Sequence, residues 1–531
     1  MSQESERTQR RQVGASLSWA LAGQAARRGG NLLTSLILAQ ILLPSEIGTF
    51  TIPFTVAMFL LALNDLGIGY AVIRHRGDVN EVAPTAVTLA VTSSFTAWMG
   101  VIVFAPQIVD LFSSPQNPAP DNAVLFVRLL AVVIVFDGLT MVPGSALTRE
   151  LREKDRTLCE LGGFGATMTT SISVAVAGGG AWALVLGQIV GVTVTAALMI
   201  WRSPAKPRPG WDTKVAKGLV SFGLPLAGAG ILNQAILNAD YVIVNRYLGT
   251  DVAGAYFFAF NISNWPVTLV SLAMRRTAMA SFSRLQHDLA ALRRAFGNAV
   301  ELLVTVTLPM AALIGTLAEE VITVLFPDEY LIGVIALRFL AAISVVRLLY
   351  QLCTDAIAAL GRTTTILVVQ GLWLGTLVPF MIIGASNWEL TGLGVAQFAS
   401  ALGVALPILL WRLATLGFHI GPLAARLVRP LLGTAGLVAT AFLVHELGGP
   451  AIVRLIVGGI AGLAVYAAIV LPRSDVLPQV LSLVGRGPLA STPAGAEPPA
   501  GAGGPVDGHL TDTSRPTVPT PDAAGSRTAR R

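Results

Sequence analysis

Seven arginines of this chain lie within or at the ends of long apolar segments. They are Arg27, Arg28, Arg128, Arg246, Arg338, Arg347 and Arg454. An ionised side chain in hydrocarbon is costly, so it normally faces a polar interior or a charged partner. The guanidinium group carries a planar set of N–H donors that matches the oxygens of a phosphate or a carboxylate. These residues therefore favour the binding of an anion within a membrane.

Arg27 and Arg28 lie near the middle of an apolar segment over 14–42. An arginine near a helix end can extend its side chain to the membrane surface, which is our interpretation of Arg128, Arg246 and Arg454. A residue in mid-segment cannot do this cheaply. Adjacent residues of a helix point about 100° apart, so Arg27 and Arg28 can line one wide cavity wall. We expect both to bind substrate, with pairing between helices as the alternative.

Arg338 and Arg347 are nine residues apart in one segment, which corresponds to about 180° of helix rotation. They therefore face opposite directions, and both are candidates for substrate binding. The internal repeat described below places Arg347 over Asp137, and both lie near the middle of their segments. We expect an ion pair between the two halves that makes and breaks during transport, or else a permanent buried pair.

Asp65 and Asp240 are the other carboxylates well inside apolar segments. Each could bind a coupling proton or sodium ion, although Asp65 could instead cap a helix or pair with Arg74. The sequence lacks the motifs of zinc proteases, serine hydrolases and nucleotide-binding loops. Cys159 and Cys353 are too far apart for a metal-ligand spacing. We therefore expect no catalytic residue, no metal and no resident cofactor.

The composition is that of an all-α, polytopic membrane protein. Its 531 residues are 53% hydrophobic and 12% charged, with a mean hydropathy of +0.68, far more apolar than a soluble domain. The net charge of +6 could suggest a nucleic acid partner, but the basic residues lie on alternate short connections between apolar segments. Because basic loops are retained in the cytoplasm, we predict cytoplasmic termini and no nucleic acid partner. The abundance of Arg, Ala and Gly suggests a bacterial genome, and for a bacterial protein we expect the inner (plasma) membrane.

Apolar segments of about 20 residues, enough to cross a bilayer as a helix, occur about fourteen times. We predict a cytoplasmic tail over 1–13, six spans over 14–201, a cytoplasmic linker over 202–217, six spans over 218–412, two further spans over 413–484 and a disordered cytoplasmic tail over 485–531.

The two groups of six spans repeat one another in sequence. SLSWALAG at 16–23 matches SFGLPLAG at 221–228, and residues 48–50 match 254–256 after one insertion. A shift by an even number of spans keeps matched helices pointing the same way, so an axis along the membrane normal relates the halves. We therefore predict two pseudo-symmetric six-helix lobes around a central cavity, two extra C-terminal helices and transport by alternating access.

Residues 14–412 resemble the polysaccharide transporters, whose superfamily also contains the multidrug and toxin extruders and the lipid II flippase. The resemblance rests on SLSWALAGQAARRGGNLLTSLILAQILLPSEIGTF, LNDLGIGYAVIRHRG, ALTRELREK and ALGRTTT. It implies a flippase that moves undecaprenyl-pyrophosphate-linked oligosaccharide from the cytoplasmic to the outer leaflet. It also implies a transport role for Arg27 and Arg28, because arginines of the first span face the cavity in the related lipid II flippase.

Two other functions compete with this interpretation. A multidrug antiporter would favour an acidic cavity for cationic drugs, which the deep arginines argue against. A membrane ligase or polymerase acting on the same lipid donor needs a long outer loop, whereas the outer connections here are all shorter than about twelve residues. We expect lipid-linked oligosaccharide, the lipid bilayer and polysaccharide assembly proteins as partners, and no enzymatic activity.

Overall fold

A computed structural model of the chain describes residues 3–64, 79–204, 208–265, 288–418 and 420–473. Asp65 and the predicted tail over 485–531 lie outside these residues. The described residues form helices joined by short connections, as expected where no water is available to hydrogen-bond the backbone of an apolar segment. The helices in chain order are α1 Gln3–Ala39, α2 Pro44–Asn64, α3 Val79–Asp110, α4 Ala123–Leu130, α5 Val133–Arg149, α6 Glu153–Val176, α7 Trp182–Arg202, α8 Thr213–Leu248, α9 over 250–265, α10 Leu289–Thr316, α11 Ala318–Leu325, α12 Val334–Ala359, α13 Thr363–Ser400, α14 Leu406–Thr415, α15 Ile420–Glu446 and α16 Ala451–Val470.

The predicted all-α membrane fold is confirmed. Each predicted span overlaps one or more of these helices, and nine helices among the described residues are long and apolar enough to cross a membrane. One of the nine, over 364–415, contains two predicted spans, because the chain reverses at Trp388 and Glu389, where Glu389 has a φ of 51°. The number fourteen stays a prediction. Helix α1 already begins at Gln3, so most of the predicted tail over 1–13 is helical.

Two glycines bring the halves of the chain into close contact on the predicted outer side. A Cβ atom on Gly48 of α2 would meet the carbonyl group of Thr250, and one on Gly254 of α9 would meet that of Pro44. Gly48 and Gly254 are matched positions of the internal repeat. The repeat therefore produces a pair of equivalent contacts in which the backbone of each half packs against the other, and any larger side chain would separate them.

Hydrogen bonds join the halves at the same end. The Asn245 side chain donates to Thr51 Oγ1 at 2.9 Å, and the Tyr330 hydroxyl donates to the Leu42 carbonyl oxygen at 2.8 Å. Arg246, which the sequence suggested would reach the membrane surface, donates from Nη1 to the Asp110 carbonyl oxygen at 2.9 Å. The predicted outer end of α8 is thus bonded directly to α2 and α3.

The last two helices, α15 and α16, are attached to the second half through a buried carboxylate. Glu320 of α11 is completely buried, and its Oε1 lies 2.6 Å from His445 Nδ1 and 3.5 Å from Arg454 Nη1. A separation of 2.6 Å requires a proton between the carboxylate and the imidazole. Arg454 therefore has a charged partner inside the protein, while its side chain remains 20% exposed near the start of α16.

We expect Glu320→Gln to destabilise the protein, because it leaves the partly buried Arg454 without its charged partner. The expected loss is about 3 kcal/mol in the free energy of unfolding, seen as a lower apparent Tm of the purified protein in detergent. Glu319→Gln is the matched control, since Glu319 pairs with Arg338 at 3.8 Å with both side chains exposed, and its loss should be about 1 kcal/mol or less. Equal losses in the two variants would contradict the conclusion that the buried Glu320 stabilises the protein more than the exposed Glu319 does.

Candidate functional site

One face of α1 packs against α6 and includes Arg27. Gly23 and Gly30, on either side of Arg27, allow α6 to approach closely, since a Cβ atom on either would meet an α6 side chain. Between them Arg27 Nη2 forms an ion pair with Glu160 Oε2 of α6 at 3.0 Å. Spacings of three and four residues place these three positions on one face of the helix. Arg27 therefore forms an ion pair between two helices, which was the sequence-based alternative to substrate binding.

A second face of α1 is polar and exposed. Its residues follow the same spacing, at positions 24, 28 and 31, and are Gln24, Arg28 and Asn31. A third face is apolar and exposed, with Trp19, Leu33 and Ile37. In a membrane-spanning helix the apolar face suits lipid, whereas an arginine and two amides require water or polar partners. The two arginines are thus separated, and Arg28 lies on the face suited to a watery cavity.

Glu160 is shared between two arginines. Its Oε1 accepts a hydrogen bond from Arg156 Nε at 3.0 Å, while its Oε2 pairs with Arg27. The Arg27 side chain is still 38% exposed, so the pair lies at the edge of the packed region. This arrangement gives Arg27 a positioning role between α1 and α6 in addition to the predicted contact with substrate, which stays a prediction.

A second ion network lies near the start of α6, on the predicted cytoplasmic side. Asp155 accepts from Arg152 Nε at 2.9 Å and from Arg202 Nη1 at 3.0 Å. The hydrogen bond from Arg152, with the charges of both arginines, lowers the pKa of the Asp155 carboxyl below its usual value despite partial burial. The network joins the start of α6 to the end of α7.

In the second half of the chain, Arg347 of α12 lies beside Asp240 of α8. Arg347 Nη2 is 4.0 Å from Asp240 Oδ2, and the side chains are 16% and 2% exposed. The guanidinium carbon also lies 5.3 Å from the centre of the Phe260 ring, a cation–π contact. Arg347 and Asp240, both candidates from sequence, are therefore brought together.

Two further residues complete this polar network, and sequence reasoning missed them. The Tyr256 hydroxyl donates to Asp240 Oδ2 at 2.7 Å, and Gln397 Nε2 donates to the Tyr256 oxygen at 3.1 Å. The backbone N–H of Tyr241 donates to Asp240 Oδ1 at 3.0 Å. Since a buried carboxylate needs donors, tyrosines and amides at mid-span are the sequence signal that could have identified these partners.

Arg347 lies beside Asp240 of its own half in this structure, so the permanent pair between Arg347 and Asp137 is not formed, whereas a pair that makes and breaks during transport stays a prediction. Asp137 instead accepts a hydrogen bond from Asn64 Nδ2 at 2.8 Å, and Asn64 Oδ1 accepts from the Ser94 hydroxyl at 2.7 Å. The physical reason is geometric: residues matched by an internal repeat lie at equivalent places in the two halves, and equivalence does not bring their side chains into contact.

Arg338 lies apart from the Asp240 network. Its exposed side chain pairs with the exposed Glu319 at 3.8 Å, in agreement with its placement on the opposite side of α12 from Arg347. Its predicted contact with substrate stays a prediction. Within the described residues, His, Cys, Asp and Glu form no group of three that could hold a metal ion.

The fold and these networks define a multi-pass helical membrane protein with charged groups between its helices. A family model described as polysaccharide biosynthesis protein matches residues 37–334, more than half of the chain. The chain therefore belongs to this polysaccharide biosynthesis protein family.

Three known proteins show how far the likeness extends. The succinoglycan biosynthesis transport protein ExoT of Rhizobium meliloti is 23% identical over 51% of this chain and 54% of its own length. The lipopolysaccharide biosynthesis protein WzxC of Escherichia coli is 22% identical over 56% of this chain and 59% of its own. The chain thus spans just over half the length of these relatives. The lipid II flippase MurJ, in an inward closed conformation, shares the fold with a TM-score of 0.69 at 13% identity, over 85% of this chain and 98% of its own.

We expect the stabilising effect of Asp155 to depend on pH. Because its folded-state pKa is depressed, its contribution is complete above the unfolded pKa of about 4 and is lost as pH falls through the folded pKa. Asp155→Asn should therefore lower the apparent Tm at pH 7, by an amount equivalent to about 1 kcal/mol. The difference from wild type should shrink at pH values below about 4, and a constant difference over that range would contradict the assignment.

Proposed function

We propose that the chain is a flippase for undecaprenyl-pyrophosphate-linked oligosaccharide. It translocates the lipid-linked repeat unit of a cell-surface polysaccharide across the bacterial inner membrane by alternating access, without chemical change to the substrate. Both termini lie in the cytoplasm, which is supported by the alternation of basic and acidic connections along the sequence. Polysaccharide assembly proteins are its proposed partners.

The observation that carries the proposal is the exposed polar face of α1. Arg28 lies there between Gln24 and Asn31, while the apolar face of the same helix is available to lipid. A guanidinium in such a place can bind two oxygens of a pyrophosphate, and the neighbouring amides can hydrogen-bond to sugar hydroxyls. An anionic headgroup with attached sugars is the substrate chemistry that this face suits.

The names of two relatives support the proposed transport of a lipid-linked saccharide. One is named as a transport protein of succinoglycan biosynthesis, and another as a protein of lipopolysaccharide biosynthesis. The two names give different products, so they do not specify the glycan that this chain would carry.

Arg347 is the proposed contact of the second half. Its side chain is partly exposed, and its contact with Asp240 is longer than a hydrogen bond. A headgroup that reaches both Arg28 and Arg347 would interact with both halves at once. Movement of the halves about the shared headgroup would then change the side to which it is exposed.

Export of cationic drugs is less well supported. Such a substrate needs a carboxylate that is available to it, whereas Asp240 is buried and already accepts two hydrogen bonds. A ligase or polymerase is the enzymatic alternative, and the short outer connections of the sequence favour a transporter over it.

We expect Arg28→Gln to reduce translocation by about 10- to 100-fold, the effect of losing one or two charge-assisted hydrogen bonds to the headgroup. The measurement uses proteoliposomes that contain a fluorescent undecaprenyl-pyrophosphate-linked saccharide, and follows its accessibility to an impermeant quencher. Wild-type translocation by Arg28→Gln would remove the substrate role of this residue.

Arg27→Gln is the matched variant on the adjacent residue. Because Arg27 pairs with Glu160, its replacement should lower the apparent Tm, and the loss in the double variant with Glu160→Gln should be smaller than the sum of the two single losses. A loss in the double variant equal to the sum of the two single losses would contradict the assigned pair.

A further inference from the structure

We infer that Asp240 competes with the substrate for Arg347: binding of a substrate phosphate to Arg347 displaces the Asp240 carboxylate, which then takes up a proton from solvent. The inference rests on the proposed function and adds a coupling reaction to it. Asp240 and Tyr256 act here as positioning residues for Arg347, not as contacts of the substrate.

Asp240 depends on Arg347 for charge compensation. Its carboxylate is 2% exposed, and both of its hydrogen-bond donors, the Tyr256 hydroxyl and the Tyr241 N–H, are neutral. Among the described residues, the charged or titratable groups that face it are Arg347 of α12, Tyr256 of α9 and Tyr241 of α8. Helices α13 and α2 contribute uncharged groups to the same region: Gln397 and Thr51.

Arg347, by contrast, is not fully committed to Asp240. The 4.0 Å separation from Asp240 is too long for a hydrogen bond, and the contact with the Phe260 ring is a cation–π contact, which also leaves the N–H groups without an oxygen acceptor from that ring. The planar edge of the group can therefore bind a phosphate at hydrogen-bond distance. With 16% of the side chain exposed, an anion has access to it.

Binding of an anion to Arg347 changes the state of Asp240. Once a phosphate neutralises the guanidinium, the buried carboxylate has no charged partner left among the described residues. An ionised group in that position is strongly disfavoured and becomes neutral. The reaction is balanced. One proton from bulk water binds to the carboxylate as the phosphate binds to the guanidinium, and the net charge of the site changes by the sum of the charges of the phosphate and the proton.

The hydrogen bonds of the network can accommodate this proton. In the ionised state the bonds run from Gln397 to the Tyr256 oxygen and from the Tyr256 hydroxyl to Asp240. If Asp240 becomes a donor, the Tyr256 oxygen can accept from it, and the Tyr256 hydroxyl can turn to the carbonyl oxygen of a flipped Gln397 amide. The Gln397 amide, at the end of this series of hydrogen bonds, can donate or accept. The Tyr256 hydroxyl and Asp240 are therefore hydrogen-bonded in both states.

The test measures proton uptake on binding. Purified protein in weakly buffered detergent is mixed with undecaprenyl-pyrophosphate-linked monosaccharide, whose pyrophosphate diester stays ionised, and a pH indicator reports the exchange. We expect wild type to take up as much as one proton per bound molecule and Asp240→Asn to take up none. Wild-type affinity should rise as pH falls, by at most tenfold per pH unit for one proton, and the affinity of Asp240→Asn should be tighter at neutral pH and independent of pH.

Two further variants complete the experiment. Asp155→Asn removes a carboxylate that lies outside the Asp240 network, so this variant should take up protons on binding as wild type does. Arg347→Gln gives a second test if Asp240→Asn does not fold, because Asp240 would then be neutral before substrate arrives, and residual binding through Arg28 should occur without proton uptake. Wild-type binding without proton uptake, or uptake that persists in Asp240→Asn or Arg347→Gln, would overturn the inference alone. Absence of wild-type binding would overturn the proposed function as well.

Discussion

The cost of an ionised group in hydrocarbon is the constraint on which this structure depends. The buried carboxylates described here face charged or titratable groups on other helices: Glu320 faces His445 and Arg454, and Asp240 faces Arg347. Breaking such a pair leaves an uncompensated charge, which is far more costly than never having placed one there. The pairs therefore fix which helices lie together, and they do so within one half or between that half and the last two helices.

The helices could be predicted from sequence because hydropathy is a local property. An apolar segment of about 20 residues must satisfy its own backbone in lipid, whatever it packs against. The partners of Glu320 could not be found in this way, since His445 and Arg454 are more than one hundred residues away. The contact depends on how three helices pack, and no spacing in the sequence encodes it.

The internal repeat was informative in one place and misleading in another. It matched Gly48 with Gly254, and the structure places both in equivalent contacts between the halves. It also matched Arg347 with Asp137, which have separate partners. Matched residues near the pseudo-symmetry axis can touch, whereas those away from it are separated. For Arg27 and Arg28, helix rotation predicted different directions, but only the packing of α6 decides which of them faces Glu160.

The named ion pairs join helices within a half or attach the last two helices to it, whereas the contacts described between the halves at the predicted outer end contain no ion pair: the Arg246 guanidinium there donates to a backbone carbonyl oxygen, that of Asp110. Asn245 with Thr51, Tyr330 with the Leu42 carbonyl, and the glycine contacts involve no opposed charges. A neutral hydrogen bond that water can replace is worth only about 1 kcal/mol, while an unpaired buried charge costs several times more. Two halves that are firm internally and weakly joined to each other are what the proposed alternating access requires, because the outer end can then part without breaking a buried ion pair.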